Sequence, residues 1–478
     1  MELHGTATIS ANGHLAVGGV DTVTLAREYG TPLWVIDEEQ FRRNCRAFRQ
    51  AFSSDLFPAG AVVLFAAKSL LALAICRIVE EEGLSLDVVS GGELHTALAA
   101  GFPMDRVYFH GNNKTQAEID EAYQAGIARF MVDNLHELDL LEGPGRTGSG
   151  TRSGAGRVPV TLRVTPGIDA DTHDYVKTGQ QDSKFGLDIA GGQAMGAVKR
   201  VLDAPHLDLK GLHCHVGSQL FTTEPYAGAA EVLMDFAAEV RRRTGWVPEE
   251  IDLGGGFGVR YSNGDAPLEP EAFARAISRA IGKKVSETGL PFPRVIVEPG
   301  RAISATAGWT LYTVGSIKEI PGIRTYVAVD GGMTDNPRPA LYQAVYEACL
   351  ANRAGETVDG RGTGGGRTVG GSGTGGGHAA AEVFTITGRC CESGDILIHD
   401  IALPRPVPGD ILAVSCTGAY NSTMASNYNR LPRPAMVLVN RGQVDVIVER
   451  ETYDDLVARE RLPVRLRRRA SARRASAG

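Results

Sequence analysis

Residues 61 to 70 read Ala61-Val62-Val63-Leu64-Phe65-Ala66-Ala67-Lys68-Ser69-Leu70. Seven apolar residues, two of them β-branched, run without a break into a lysine. That length and content match a buried strand. Lys68 then has two readings. It caps the strand and carries its ammonium out to water, or it stands at the mouth of a barrel. There, partial desolvation lowers its pKa and frees the amine to attack an aldehyde. The rest of the chain has to decide between them.

Outward from this stretch the pattern repeats. Apolar runs at 62–67, 84–89, 107–110, 128–132, 160–164, 209–216, 250–253 and 294–297 alternate with amphipathic segments such as 70–82 and 92–100. This βα rhythm calls for parallel strands with helices outside. Eight such runs match a closed (β/α)8 barrel of the TIM type, with an open doubly wound sheet as the rival. An earlier strand at 33–37, followed by a helix from about 38 to 52, falls outside that count. After about residue 305 the character changes. Short runs at 309–314, 326–329, 383–387, 411–415, 436–439 and 443–448 are separated by Pro- and Gly-rich turns, which reads as an antiparallel β domain. The expected division is a barrel over 38–305 and a β domain built from 1–37 and 306–478. Three stretches carry too little apolar surface to offset their ordering entropy: 143–157, a Gly-rich insert at 354–377 and a basic tail at 465–478.

A chain of 478 residues with 43% hydrophobic content accommodates both domains. Its net charge of −7 gives no nucleic-acid surface. No apolar stretch reaches membrane-spanning length, and the first residues lack the pattern of an export signal. Seven cysteines without disulfide-like spacing point to a reducing compartment, so the cytoplasm is expected.

Three further run ends carry chemistry. Leu253-Gly254-Gly255-Gly256-Phe257-Gly258 is a tight turn or a loop whose backbone N–H groups cradle an anion; its spacing is not that of a dinucleotide fingerprint. In Gly211-Leu212-His213-Cys214-His215-Val216-Gly217-Ser218-Gln219, alternation puts His213 and His215 on one face. Cys214 then points away, which weakens a metal reading, and no metal is expected. A flat imidazole against a planar ring fits better, with Ser218 placed to meet a phosphate. Val297-Glu298-Pro299-Gly300-Arg301 offers either a local Glu298–Arg301 ion pair or an acid for a protonated ring nitrogen. An amine, a stacking ring, a phosphate cradle and such an acid, all at strand ends, describe a site for pyridoxal 5′-phosphate.

On these residues the chain resembles the fold-type III pyridoxal-phosphate decarboxylases, over about residues 20 to 460. The matching motifs are Phe65-Ala-Ala-Lys68, Asp87-Val-Val-Ser-Gly-Gly-Glu93, residues 211–219 and 253–258, Glu298 to Arg301, Asn336-Pro-Arg-Pro-Ala-Leu-Tyr342, Cys391-Glu-Ser-Gly-Asp395, Gly418-Ala-Tyr420 and Met424-Ala-Ser-Asn-Tyr428. The resemblance implies a (β/α)8 barrel plus a β domain that takes both the N-terminal strand and the C-terminal part, as in alanine racemase and ornithine decarboxylase. It implies that Lys68 holds the cofactor as a Schiff base, that His215 stacks on the ring and that Glu298 binds its nitrogen. Ser218, Gly255, Gly256, Gly300, Arg301 and Tyr420 would surround the phosphate. It also implies a homodimer with shared sites, in which Cys391 and Glu392 of the partner subunit enter and Cys391 of the partner subunit donates a proton.

The implied reaction is decarboxylation of a small amino acid, with meso-2,6-diaminopimelate as the expected substrate and L-lysine and carbon dioxide as products. Ornithine, arginine and lysine are the alternative substrates of the same fold, but they lack a far carboxylate. Arg301, Arg338 and Tyr342, with Tyr420 beside them, would clamp that group, for which the guanidinium fork is suited. Glu392 would take the far ammonium. The chain departs from the family at Phe65 (usually Tyr), at Ser69 (often Ala), in the Cys390-Cys391 doublet and in the Gly-rich insert.

Overall fold

The computed structural model describes residues 1–53, 55–142, 157–167, 183–356, 358–359, 379–380 and 382–467. The stretches expected as loops at 143–157 and 354–377, and the tail at 465–478, lie almost wholly outside the described residues.

The run that ends at Lys68 forms strand β1 (Ala61–Ala66), and Lys68 sits in the one-turn 3-10 helix Ala67–Ser69 that follows. The remaining runs form β2 (Ser85–Val88), β3 (Val107–Phe109), β4 (Arg129–Val132), β5 (Val158–Thr165), β6 (Leu207–His213), β7 (Glu250–Asp252) and β8 (Arg294–Val297). All pair in parallel, and β8 returns to β1 through Val295–Ala61 and Ile296–Val62, so the sheet closes. This excludes the open doubly wound sheet. Helices such as Leu73–Glu81, Glu224–Thr244 and Pro270–Thr288 pack outside. Phe65 points to that outer layer, edge-on to Phe41 at 5.3 Å, so its departure from tyrosine lies away from the barrel interior.

Alternate residues of each strand point into the barrel and fill it in layers. At the floor, the fully buried Glu250 accepts from Arg129 at 2.8 and 3.1 Å, from Arg294 at 2.7 Å and from Thr161 at 3.0 Å. Burial alone would raise its pKa, but the two guanidinium partners hold it below the ordinary carboxylate value. Above the floor, Leu64, Tyr108, Met131 and Ile296 form an apolar plug. Above the plug, the strand ends carry Asp87, His110, His213, Asp252 and Glu298, all buried. The barrel therefore changes from ionic to greasy to titratable along its axis.

The strand Leu33–Asp37 belongs to a second sheet. It lies between Gly308–Ile320, antiparallel to it, and Ala435–Asn440, parallel to it. The sheet continues through Arg324–Val329, Glu382–Thr387 and Ile396–Leu403 on one side and Gln443–Val448 on the other. Most pairs are antiparallel; Arg324–Val329 with Glu382–Thr387 is a second parallel one. Asp37 ends its strand and caps the next helix, Glu38–Ala51, by accepting from the Gln40 N–H, so one residue passes the chain from sheet to barrel. Among the described residues no helix is long and apolar enough to cross a membrane.

The floor gives a stability test. Glu250→Ala leaves the largely buried Arg129 guanidinium, 13% exposed, without its acid and should cost about 3 kcal/mol, read as a lower urea midpoint at an unchanged slope. Because the folded-state pKa of Glu250 is depressed, its contribution is present at neutral pH and is lost as pH falls through that depressed value.

Candidate active site

A cavity of about 540 Å³ opens at the C-terminal mouth of the barrel, the size of a small-ligand pocket. Every site residue expected from the sequence lines it except Cys391 and Glu392. Barrel loops supply Lys68, His215, Ser218, Gly255, Gly256, Glu298, Gly300 and Arg301, and the outer domain closes it with Arg338, Tyr342 and Tyr420. The site is therefore made by both sheets.

Lys68 opens into the cavity while its neighbours Ala67 and Ser69 are buried. The expectation that desolvation lowers its pKa is overturned. Burial in the cavity does push it down, but the charges of Asp87, Tyr420 and Glu298 outweigh that, and the net direction is up. This amine is an ammonium held among carboxylates.

Strand β6 ends at His213, so the alternation expected to align His213 with His215 stops there, and only His215 lines the cavity. His215 Nδ1 accepts from the Gly255 N–H at 3.2 Å, which ties the ring to the glycine loop. Burial, aided by Lys68, keeps its pKa well below the usual value, so the ring is neutral. The glycines at this loop are required. A Cβ on Gly254 (φ +69°) would lie 2.7 Å from His215 Nδ1, and one on Gly256 (φ +107°) would lie 2.2 Å from the Gly217 carbonyl.

Glu298 does not pair with Arg301. Its Oε1 lies 2.8 Å from His110 Nε2 and 3.5 Å from His213 Nε2. Arg301 instead donates to Ser218 Oγ and Tyr261 Oη, both at 2.9 Å, and lies 5.0 Å from the centre of the Tyr420 ring. Arg338, between two prolines in sequence, is buried rather than on the surface. Its guanidinium lies 4.8 Å from the Tyr261 ring and 5.6 Å from the Tyr346 ring, and it donates to Tyr346 Oη. Among the described residues neither Arg301 nor Arg338 has a carboxylate within ion-pair distance. Tyr420 is held at φ 60°, a left-handed conformation costing about 1–3 kcal/mol for such a residue. Its N–H donates to the Ser69 carbonyl, which fixes the outer domain onto the Lys68 turn.

Cys391 is exposed, with its N–H donating to Asn429 Oδ1 at 2.7 Å, while Cys390 is buried and its thiol is pushed up to about 12 by burial and Asp395. Of the doublet, only Cys391 is presented outward. Sequence reasoning missed Tyr261 in the cavity wall and His110 beneath it, and gave Gln219 and Met424, both inside quoted motifs, no role in the site. His110 did carry a signal, since it closes the run 107–110 as Lys68 closes its own.

Residues 38–305 match the family model described as pyridoxal-dependent decarboxylase, pyridoxal binding domain. The diaminopimelate decarboxylase of Bacillus subtilis is 48% identical over 459 residues, covering 96% of this chain and 97% of the relative. That of Halalkalibacterium halodurans is 46% identical over 457 residues, covering 96% and 97%. Among solved structures, the diaminopimelate decarboxylase of M. jannaschii in complex with L-lysine superposes with a TM-score of 0.85 at 34% identity, over 97% of this chain and 100% of that one. The chain belongs to the pyridoxal-dependent decarboxylases, in the diaminopimelate decarboxylase family.

Proposed function

We propose that the protein removes carbon dioxide from meso-2,6-diaminopimelate to yield L-lysine, with pyridoxal 5′-phosphate as cofactor, the last step of lysine biosynthesis. The observation that carries this reading is a pair of guanidiniums against the Tyr261 ring, Arg301 at 5.8 Å and Arg338 at 4.8 Å, with no carboxylate within ion-pair distance among the described residues. Arg338 is buried and Arg301 half-buried, and cations removed from water are normally answered by anions. A cavity with two unanswered ones suits two anionic groups: a phosphate beside Ser218 and a far carboxylate beside Arg338.

The residues fit the cofactor. Lys68 presents the amine that takes its aldehyde, His215 a neutral ring for its face, and Glu298 a buried carboxylate for its nitrogen. Ser218, Gly255, Gly256, Gly300, Arg301 and Tyr420 form the phosphate end. When bound, pyridoxal phosphate supplies the electron sink for the bond to carbon dioxide. The chain's own residues do the rest. Glu298 keeps a proton on the ring nitrogen, and Arg338 with Tyr342 anchors the far carboxylate so that the D-configured end meets Lys68. Cys391 of the partner subunit returns a proton to the substrate carbon, and Glu392 of the partner subunit takes the far ammonium. The outward presentation of Cys391 supports a homodimer with shared sites. The division at 38–305 against 1–37 with 306–478 follows the two sheets, and a cytoplasmic setting suits the chemistry.

An ornithine, arginine or lysine decarboxylase is the rival reading, and it would leave Arg338 unpaired on binding, a heavy penalty. Carbon dioxide release measured on all four substrates should therefore favour meso-diaminopimelate; faster turnover of any other reverses the assignment. Lys68→Ala should lose both the near-visible absorption of the bound cofactor and borohydride trapping at that position. Arg338→Met should lower kcat/KM for meso-diaminopimelate by about a hundredfold or more, with cofactor absorption unchanged.

A further inference from the structure

Glu298 is the only member of the titratable layer that reaches the cavity. Asp87, His110, His213 and Asp252 stand beneath it on four different strand ends. The layer below, three aliphatic side chains and Tyr108, shows that largely apolar side chains fill this barrel, so a layer of titratable groups here needs a reason. Both Nε2 atoms approach the same oxygen of Glu298, and His110 Nε2 also lies 3.7 Å from Asp87 Oδ1. The two imidazoles meet edge to face, centres 5.0 Å apart. Neither approach to Glu298 is aligned for N–H donation. Oε1 of Glu298, both Nε2 atoms, His213 Nδ1, both Asp87 oxygens and Oδ2 of Asp252 are buried without an aligned hydrogen-bond partner among the described residues. So many orphaned polar atoms in one place are costly to keep. They mark a site whose hydrogen bonds align when a ligand loads it, as sites without ligand commonly do.

The shifts within this layer run in opposite directions. Burial brings His213 down to about 4, so it is neutral near pH 7. Burial and the charge of Glu298 push Asp252 well above the carboxylate range, and burial raises Asp87 despite His110. Burial opposes ionisation of Glu298 as well, yet the imidazoles hold its pKa well below the usual value. Of the three carboxyls, Glu298 is the one whose shift favours the ionised form.

We propose that His110, seconded by His213, is a positioning residue. The two imidazoles grip Oε1 of Glu298 from beneath and so present its second oxygen to the cofactor's ring nitrogen. This rests on the role given to Glu298 above. His110 touches neither substrate nor cofactor; it acts through Glu298 alone.

The test uses a cofactor analogue with carbon in place of the ring nitrogen, 1-deazapyridoxal 5′-phosphate. Full-length apoenzyme is titrated with pyridoxal 5′-phosphate and with the analogue, following near-visible absorption. His110→Phe should weaken binding of pyridoxal 5′-phosphate by about tenfold and leave the analogue's affinity unchanged. His110→Asn, too short to reach Glu298, should behave like His110→Phe, whereas His110→Gln, whose amide reaches that far, should restore the wild-type value. These two polar variants keep the comparison informative if phenylalanine disrupts folding. Equal loss for both ligands in all three variants means that His110 only packs, and it overturns the proposal. So does a stoichiometric metal in the purified wild-type holoenzyme that His110→Asn removes, because the donor atoms of His110, His213 and Glu298 lie within 4.8 Å of one another. Glu298→Gln separates the two levels. If it discriminates between the ligands and the His110 variants do not, only the positioning role fails. If it does not discriminate either, the role of Glu298 fails with it.

Discussion

A carboxylate charge buried at the mouth of the barrel is the constraint that the surrounding structure answers. Glu298 is 5% exposed, where an isolated anion would take up a proton instead. Two imidazoles beneath it, His110 and His213, keep it ionised. The same charge helps to raise the pKa of Lys68 and of Asp252. One side chain thus sets the protonation of its neighbours, and the parallel strand order makes this possible by bringing every strand's C-terminal end to one rim.

The second sheet completes what the barrel leaves open. The barrel alone supplies an amine, an acid and a glycine loop. Arg338, Tyr342 and Tyr420 come from the outer domain, and the strain at Tyr420 is borne by its hydrogen bond to the Lys68 turn. Tyr261, in the barrel loop after β7, contacts both guanidiniums, so one ring links the arginine of the barrel to the arginine of the outer domain.

Much of this was legible in the sequence because a barrel converts position along the chain into position in space. Each apolar run of 61–297 became a strand, and each residue that broke a run arrived at one rim. Lys68, Glu298 and the glycine triplet could be assigned on that basis. What escaped was anything set by a distant partner. The ammonium of Lys68 is governed by Asp87 on another strand, and local desolvation gave the wrong sign. Arg338 is placed in the site by its motif, but its burial against the tyrosines at 261 and 346 is a contact between distant segments that the sequence does not show. His110 ended a run like the others, but no motif marked it, and its contact with Glu298 exists only once β3 and β8 face each other across the closed barrel.

The strand Leu33–Asp37 lies between a strand that begins at Gly308 and another that ends at Asn440. During synthesis it leaves the ribosome about 400 residues before its parallel neighbour does, since Leu33 pairs with Ala435. The barrel strands are all made by residue 297 and can pair while that strand is still single. The contacts of highest sequence separation therefore form last, and such contacts are the slow ones in folding. Tyr420 and Arg338 arrive with this late sheet, so a truncated or stalled chain would present a barrel with its lysine in place but its cavity unroofed.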